Sequence, residues 1–156
     1  MVAAPPAGFS PMAVPGKVVK VTANGDADGV MQPNMLWPKA EVAKRLFEKA
    51  MMELTGASSA VEAMKKFIHK NDVVAIKPNG IAGQKGATMA VNFELILPVV
   101  EAVLALGVPP DKIMVYEQYP SYLAGCRVNV RSFKLPAGVR AGTHNNNDHP
   151  MPEIKV

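Results

Sequence analysis

One cysteine, Cys126, is all the thiol chemistry the sequence carries. A lone thiol cannot staple a fold, complete a zinc ribbon or hold an iron–sulfur cluster, so no such cluster is expected within this chain. No nucleophile signature surrounds it, and a buried inert thiol is the expectation. Aromatic residues are scarce at 6%, too few for a platform on which successive nucleotide bases stack. The 17 Lys and Arg residues against 13 acidic ones give a net charge of +4. They are scattered (Lys17, Lys20, Lys39, Lys44, Arg45, Lys49 and onward) in the manner of solvated helix faces, and no nucleic-acid partner is expected. A long apolar run is missing too. The longest, residues 95–108, is broken by Pro98 and Glu101 and falls short of the roughly 18 residues a membrane span needs.

What is there is a core: 156 residues, 49% of them hydrophobic, enough for one globular domain. Residues 1–16 hold four prolines and two glycines and read as an extended or disordered leader to a single domain over 17–156. That leader has neither the basic start nor the apolar centre of a signal peptide. It resembles the spacer left after one is removed, which points to an exported, periplasmic chain; a frayed cytoplasmic terminus is the other reading.

Lys17 to Ala23 alternates in the manner of a strand, and Asn24-Gly25-Asp26 marks a turn. A helix is expected from Pro38 to about Leu54, with Val42, Leu46, Phe47, Ala50 and Leu54 as its apolar stripe and Gly56 as its stop. Ser58 or Ser59 can cap the next helix, with Glu62 three residues after Ser59 in a capping-box pattern; that helix would bury Val61, Met64, Phe67 and Ile68 and end near His69. Val73 to Ile76 is apolar without alternation, the pattern of a parallel strand covered on both faces. A third helix is expected over about 92–106, and Ile113 to Tyr116 is a second strand. Strand, helix, strand makes a βαβ unit with a right-handed crossover. Beyond Glu117 the pattern weakens to a short helix near 119–125, short strands at 128–130 and 132–135, and a polar loop from Gly142. Ile154 to Val156 reads as a strand start, so an incomplete, N-terminal part of a longer fold is expected.

Val-Val-Ala-Ile-Lys-Pro-Asn (73–79), Gly-Ala-Thr (86–88), an apolar helix closing on Leu-Gly-Val (106–108) and Lys-Ile-Met-Val-Tyr-Glu (112–117) together resemble domain of unknown function family 362. The likeness covers roughly residues 17–120. It implies a Rossmann-like α/β fold, a mostly parallel sheet with flanking helices, in a family whose activity is not established. Some members carry ferredoxin-type cysteine clusters, absent here, and many bacterial ones begin with twin-arginine export signals. A looser similarity runs to the N-terminal domain of nickel-dependent lactate racemases; their Asp-Arg-Pro motif is replaced here by Lys77-Pro78-Asn79.

The strand-end loop at 77–88 is where a ligand is expected, because α/β proteins bind at the carboxyl ends of their strands. Lys77 can place a cation over a phosphate or carboxylate. Asn79 can hold a ligand oxygen or only fix the loop, Gly80 permits close backbone approach, and Thr88 can bind an anion or cap the following helix. The glycine spacing (Gly80, Gly83, Gly86) matches neither the dinucleotide fingerprint nor the P-loop. Glu117 ends the second strand at the same edge. With Lys77 it is either an acid–base couple or a plain ion pair. His144, Asp148 and His149 supply metal-ligand side chains within six residues, a loose candidate metal site or a solvated turn. The expected function is therefore binding of an anion or metal cofactor by a family-362-like protein. The alternative is a noncatalytic assembly subunit, with a second chain or a C-terminal fragment completing the sheet.

Overall fold

The computed structural model describes residues 16–81 and 90–144. Three parallel strands, β1 (Val74–Ile76), β2 (Ile113–Glu117) and β3 (Arg140–Thr143), form a sheet in the order β1-β2-β3. The register pairs Ile76 with Val115 and Glu117 with Thr143. Helices α1 (Ala27–Val30), α2 (Ala40–Thr55) and α3 (Ala60–Met64) precede the sheet. Helix α4 (Phe93–Ala105) crosses from β1 to β2, and α5 (Pro120–Gly125) begins the crossover from β2 to β3. The chain is an α/β fold with a small parallel sheet and flanking helices.

Local sequence accounts for most of these boundaries. Gly56 ends α2 in the left-handed region, φ 70°, where its missing side chain avoids the usual steric penalty. The Ser59 hydroxyl accepts the Glu62 N–H at 3.2 Å and opens α3, as an N-cap should. Helix α3 is shorter than its apolar spacing suggests. It stops at Met64, and Asp72 Oδ2 accepts the His69 N–H at 2.8 Å in the turn that follows. The 17–23 stretch keeps its alternation in exposure but pairs with no strand among the described residues. Of the expected strands at 128–130 and 132–135 only an isolated Val130–Phe133 bridge forms. The third strand instead lies at 140–143, so Gly142 and Thr143 belong to the sheet and not to a loop.

Alternation along each strand divides the sheet into two unlike faces. On one lie Val74, Ile76, Ile113, Val115 and Glu117; the core packs here, with Phe93, Ile96, Val100 and Val103 of α4 and with Cys126, Val128, Leu135 and Val139. The other face carries Ala75, Met114, Tyr116, Arg140 and Gly142, all exposed or half-exposed. The expectation that β1 is covered on both faces is thus corrected: Ala75 is exposed, and Val73 before it is 74% exposed. The reason is topological. A sheet built in sequential order with right-handed crossovers places both crossovers on the same side.

Candidate functional site at the strand ends

Parallel pairing brings the carboxyl ends of all three strands to one edge, so Lys77, Glu117 and His144 leave the sheet on the same side. Lys77 and Glu117 meet directly. The Lys77 ammonium lies 3.0 Å from Glu117 Oε1, and the same oxygen accepts the Gly80 N–H at 2.9 Å. Glu117 Oε2 accepts the Gln118 N–H at 2.7 Å. Glu117 is almost fully buried, its side chain 2% exposed, whereas that of Lys77 is 53% exposed. The carboxylate is therefore a bolt between the tips of β1 and β2.

Burial alone would raise the Glu117 pKa. The N–H groups of Gln118 and Gly80 and the Lys77 ammonium outweigh it and hold the carboxyl below its ordinary value of 4.5, because each stabilises the charged form. Glu117 is ionised at neutral pH and acts as an acceptor only. Three donors engage its two oxygens, the Lys77 ammonium and the Gly80 N–H on Oε1 and the Gln118 N–H on Oε2. The Lys77 ammonium also reaches the Pro78 carbonyl at 3.3 Å. With three hydrogens to offer and half its side chain in solvent, it retains a donor for an outside acceptor.

Gly80 is required where it stands. A Cβ there would fall on the Tyr122 carbonyl, 2.7 Å from its carbon, so α5 and the 77–80 turn touch backbone to backbone. The Asn79 carbonyl accepts the Val91 N–H at 3.0 Å, closing the neck of the connection to α4. The Asn79 side chain is exposed; its Oδ1 makes a long 3.4 Å contact to the Ile81 N–H. Thr88, Gly83 and Gly86 lie outside the described residues, as do Asp148 and His149. His144 is half-exposed, with its ring 5.6 Å from that of Tyr116 and its Nδ1 buried without a partner among the described residues. Among the described residues no three metal-binding side chains gather, and no helix is long and apolar enough to cross a membrane.

Cys126 is fully buried. Burial first, and the nearby Glu117 charge second, push its pKa up to about 11, so it stays a protonated thiol at neutral pH.

A second buried carboxylate is not foreseen from the sequence. Glu94, in the first turn of α4, makes two bonds to Arg127: Nη1 to Oε1 at 2.9 Å and Nη2 to Oε2 at 2.5 Å. Gln32 donates to Glu94 Oε1 at 2.8 Å, and Asn92 Oδ1 accepts from Arg127 Nη2 at 3.1 Å. The guanidinium sits 4.0 Å from the Trp37 ring centre and 4.5 Å from that of Phe133, a stacked arrangement that suits arginine. Both side chains are at most 5% exposed. The one sequence signal is an acidic residue inside the apolar run Phe93-Glu94-Leu95-Ile96; nothing points to Arg127. No family model matches this chain, and neither a curated protein nor a solved structure matches it, so a functional reading has to come from this geometry.

Proposed function

We propose that the chain is a family-362-like α/β protein that holds a small anionic ligand, a carboxylate or phosphate group, at the carboxyl ends of its strands. The observation that carries this reading is the Lys77–Glu117 arrangement. A buried, ionised carboxylate positions a half-exposed ammonium at the edge where parallel α/β sheets bind their ligands. Asn79, exposed beside Lys77, supplies an amide donor for a second ligand oxygen. An anion is favoured over a metal cation because the charge this edge presents to solvent is the Lys77 ammonium, while the Glu117 carboxylate is buried beneath it. Glu117 serves as a positioning residue, keeping the Lys77 side chain from swinging freely into solvent.

Calorimetric and amide-NMR titration with inorganic phosphate and with acetate tests this. Either anion should perturb the amides of Lys77, Asn79, Gly80 and Gln118. Lys77→Ala should remove the response and Asn79→Ala should weaken it, while Lys49→Ala on α2, whose ammonium pairs with Glu53, should leave it intact. Absence of any response near residue 77, or one that survives Lys77→Ala, sinks the proposal.

A further inference from the structure

Between α2 and α4 lies a cavity of about 560 Å³, within the size range of small-molecule sites. It shares no lining residue with the strand-end pair. Its buried end is made by Phe93, Glu94 and Pro98 of α4, and half-buried Leu97 and Phe133 complete an apolar wall. Exposed Glu41 and Lys44 of α2 and Glu101 of α4 form the rim. The polar groups around this space offer acceptors and almost no donors. Gln32, also in the lining, spends both amide hydrogens, on the Pro38 carbonyl at 2.9 Å and on Glu94 Oε1 at 2.8 Å. Its own Oε1 has no partner among the described residues. Pro98 has no N–H to return to the Glu94 carbonyl one turn earlier in α4, so that oxygen loses its helical donor.

Charge points the same way. The rim cation, Lys44, is already bonded to Glu101 at 3.2 Å, and Glu94 is matched by Arg127 behind it. Glu41 has no ion-pair partner among the described residues, so a carboxylate is the charge left over. We infer that this cavity binds a small organic ammonium ion, with its apolar body against Phe93, Leu97 and Phe133 and its N–H donors turned to Gln32 Oε1 and the Glu41 carboxylate. A neutral ligand of the same shape would strip water from these acceptors without replacing it. A carboxylate ligand would set like charge against Glu41. This site goes beyond the anion site at the strand ends and takes a ligand of opposite charge.

The test uses the full chain and three probes of similar shape: phenethylammonium, the neutral phenethyl alcohol and the anionic hydrocinnamate. Calorimetry should show saturable binding of phenethylammonium, at least about tenfold tighter than that of the alcohol, and none of hydrocinnamate. Trp37, the one tryptophan of the chain, meets the Phe133 ring edge to face at 5.5 Å, so its indole N–H signal reports on the cavity wall. Phenethylammonium should shift that signal and the amides of Phe93 to Leu97, and spare those of Lys77 and Gln118. Leu97→Trp, which fills the cavity from a half-buried position, should abolish binding. Glu41→Lys, at an exposed position, should weaken it by at least about tenfold through like-charge repulsion. The inference is overturned if phenethylammonium fails to bind, if the alcohol binds equally well, or if Glu41→Lys has no effect. It is also overturned if the shifts fall at the strand ends instead. Glu41→Lys leaves the Lys77 phosphate response in place, so the two proposals fail separately.

Discussion

Glu117 and Glu94 are both buried carboxylates facing a cation, and the difference between them lies in the cation. Arg127 is as deeply buried as its partner, bonded through two nitrogens and set against two aromatic rings that meet edge to face. Lys77 is half in solvent, makes one bond to its carboxylate, and leaves Glu117 to be satisfied mainly by backbone N–H groups. The first pair is a clamp. It ties the 32–38 loop, the start of α4 and the turn after α5 into one unit. The second pair fixes a charge at the surface while leaving it available. Burial of a carboxylate is thus a poor guide to function by itself; what differs between the two pairs is the exposure of the cation.

The clamp should break hardest. Arg127→Met strands the Glu94 charge in the interior, and loss of one partner of a buried pair costs about 3–5 kcal/mol. Urea denaturation should show that loss as a lowered midpoint. Adding Glu94→Met should restore part of it, because a buried pair replaced on both sides by apolar groups is far less harmful than a broken one. Equal instability of the single and double variants would mean the pair is no clamp.

Gly80→Ala should come next, at roughly 1–3 kcal/mol, the usual cost of overpacking. Its new methyl meets the Tyr122 carbonyl, and relief requires the turn to move away from α5. Because Gly80 also donates to Glu117, the variant should disturb the amide signals of Lys77 and Gln118. A neutral effect on stability would show that the close approach is not required.

Acid should act on both carboxylates in the same direction. At Glu94 and Glu117 burial opposes ionisation, but the surrounding donors win and lower both pKa values from 4.5. A depressed folded-state pKa contributes stability that is complete above the unfolded value and is lost as pH falls through the folded one. The denaturation midpoint should therefore stay level above about pH 5 and drop below roughly pH 4.5. Glu117→Gln should make that drop shallower, and an unchanged acid slope would remove Glu117 as a contributor.

Lys77→Ala should have the smallest effect on stability, below about 1 kcal/mol, since an ion pair with one exposed partner is screened by water. Its effect on anion binding should nevertheless be complete. That split between stability and binding is the sharpest contrast with Arg127→Met.

Some of this layout is legible in the residues. The runs at 73–76 and 113–116 announce β1 and β2 because continuous apolar stretches of that length suit buried parallel strands, and strand polarity then sets Lys77 and Glu117 at one edge. Gly56 and the Ser59–Glu62 pattern announce helix limits through local backbone chemistry, whereas Pro38 stands before the Lys39 cap of α2 and pairs with Met31 instead. Strand β3 is not legible. Arg140-Ala141-Gly142-Thr143 has little intrinsic strand preference and is held extended by pairing with β2. The difference between the two sheet faces is equally hidden, because it follows from strand order and not from composition. The Glu94–Arg127 clamp joins positions 33 residues apart with no spacing rule to reveal it. Gly80 is legible as a close backbone approach, yet its partner, the Tyr122 carbonyl, is not.

Carbon-detected NMR of the Glu117 side-chain carboxyl through an acid titration tests the strand-end geometry most directly. The arrangement of Lys77, Gly80 and Gln118 around that carboxylate predicts a midpoint below 4.5 that moves upward in Lys77→Ala. A midpoint at or above that value, or one that ignores the loss of Lys77, would contradict the geometry on which the proposed site rests.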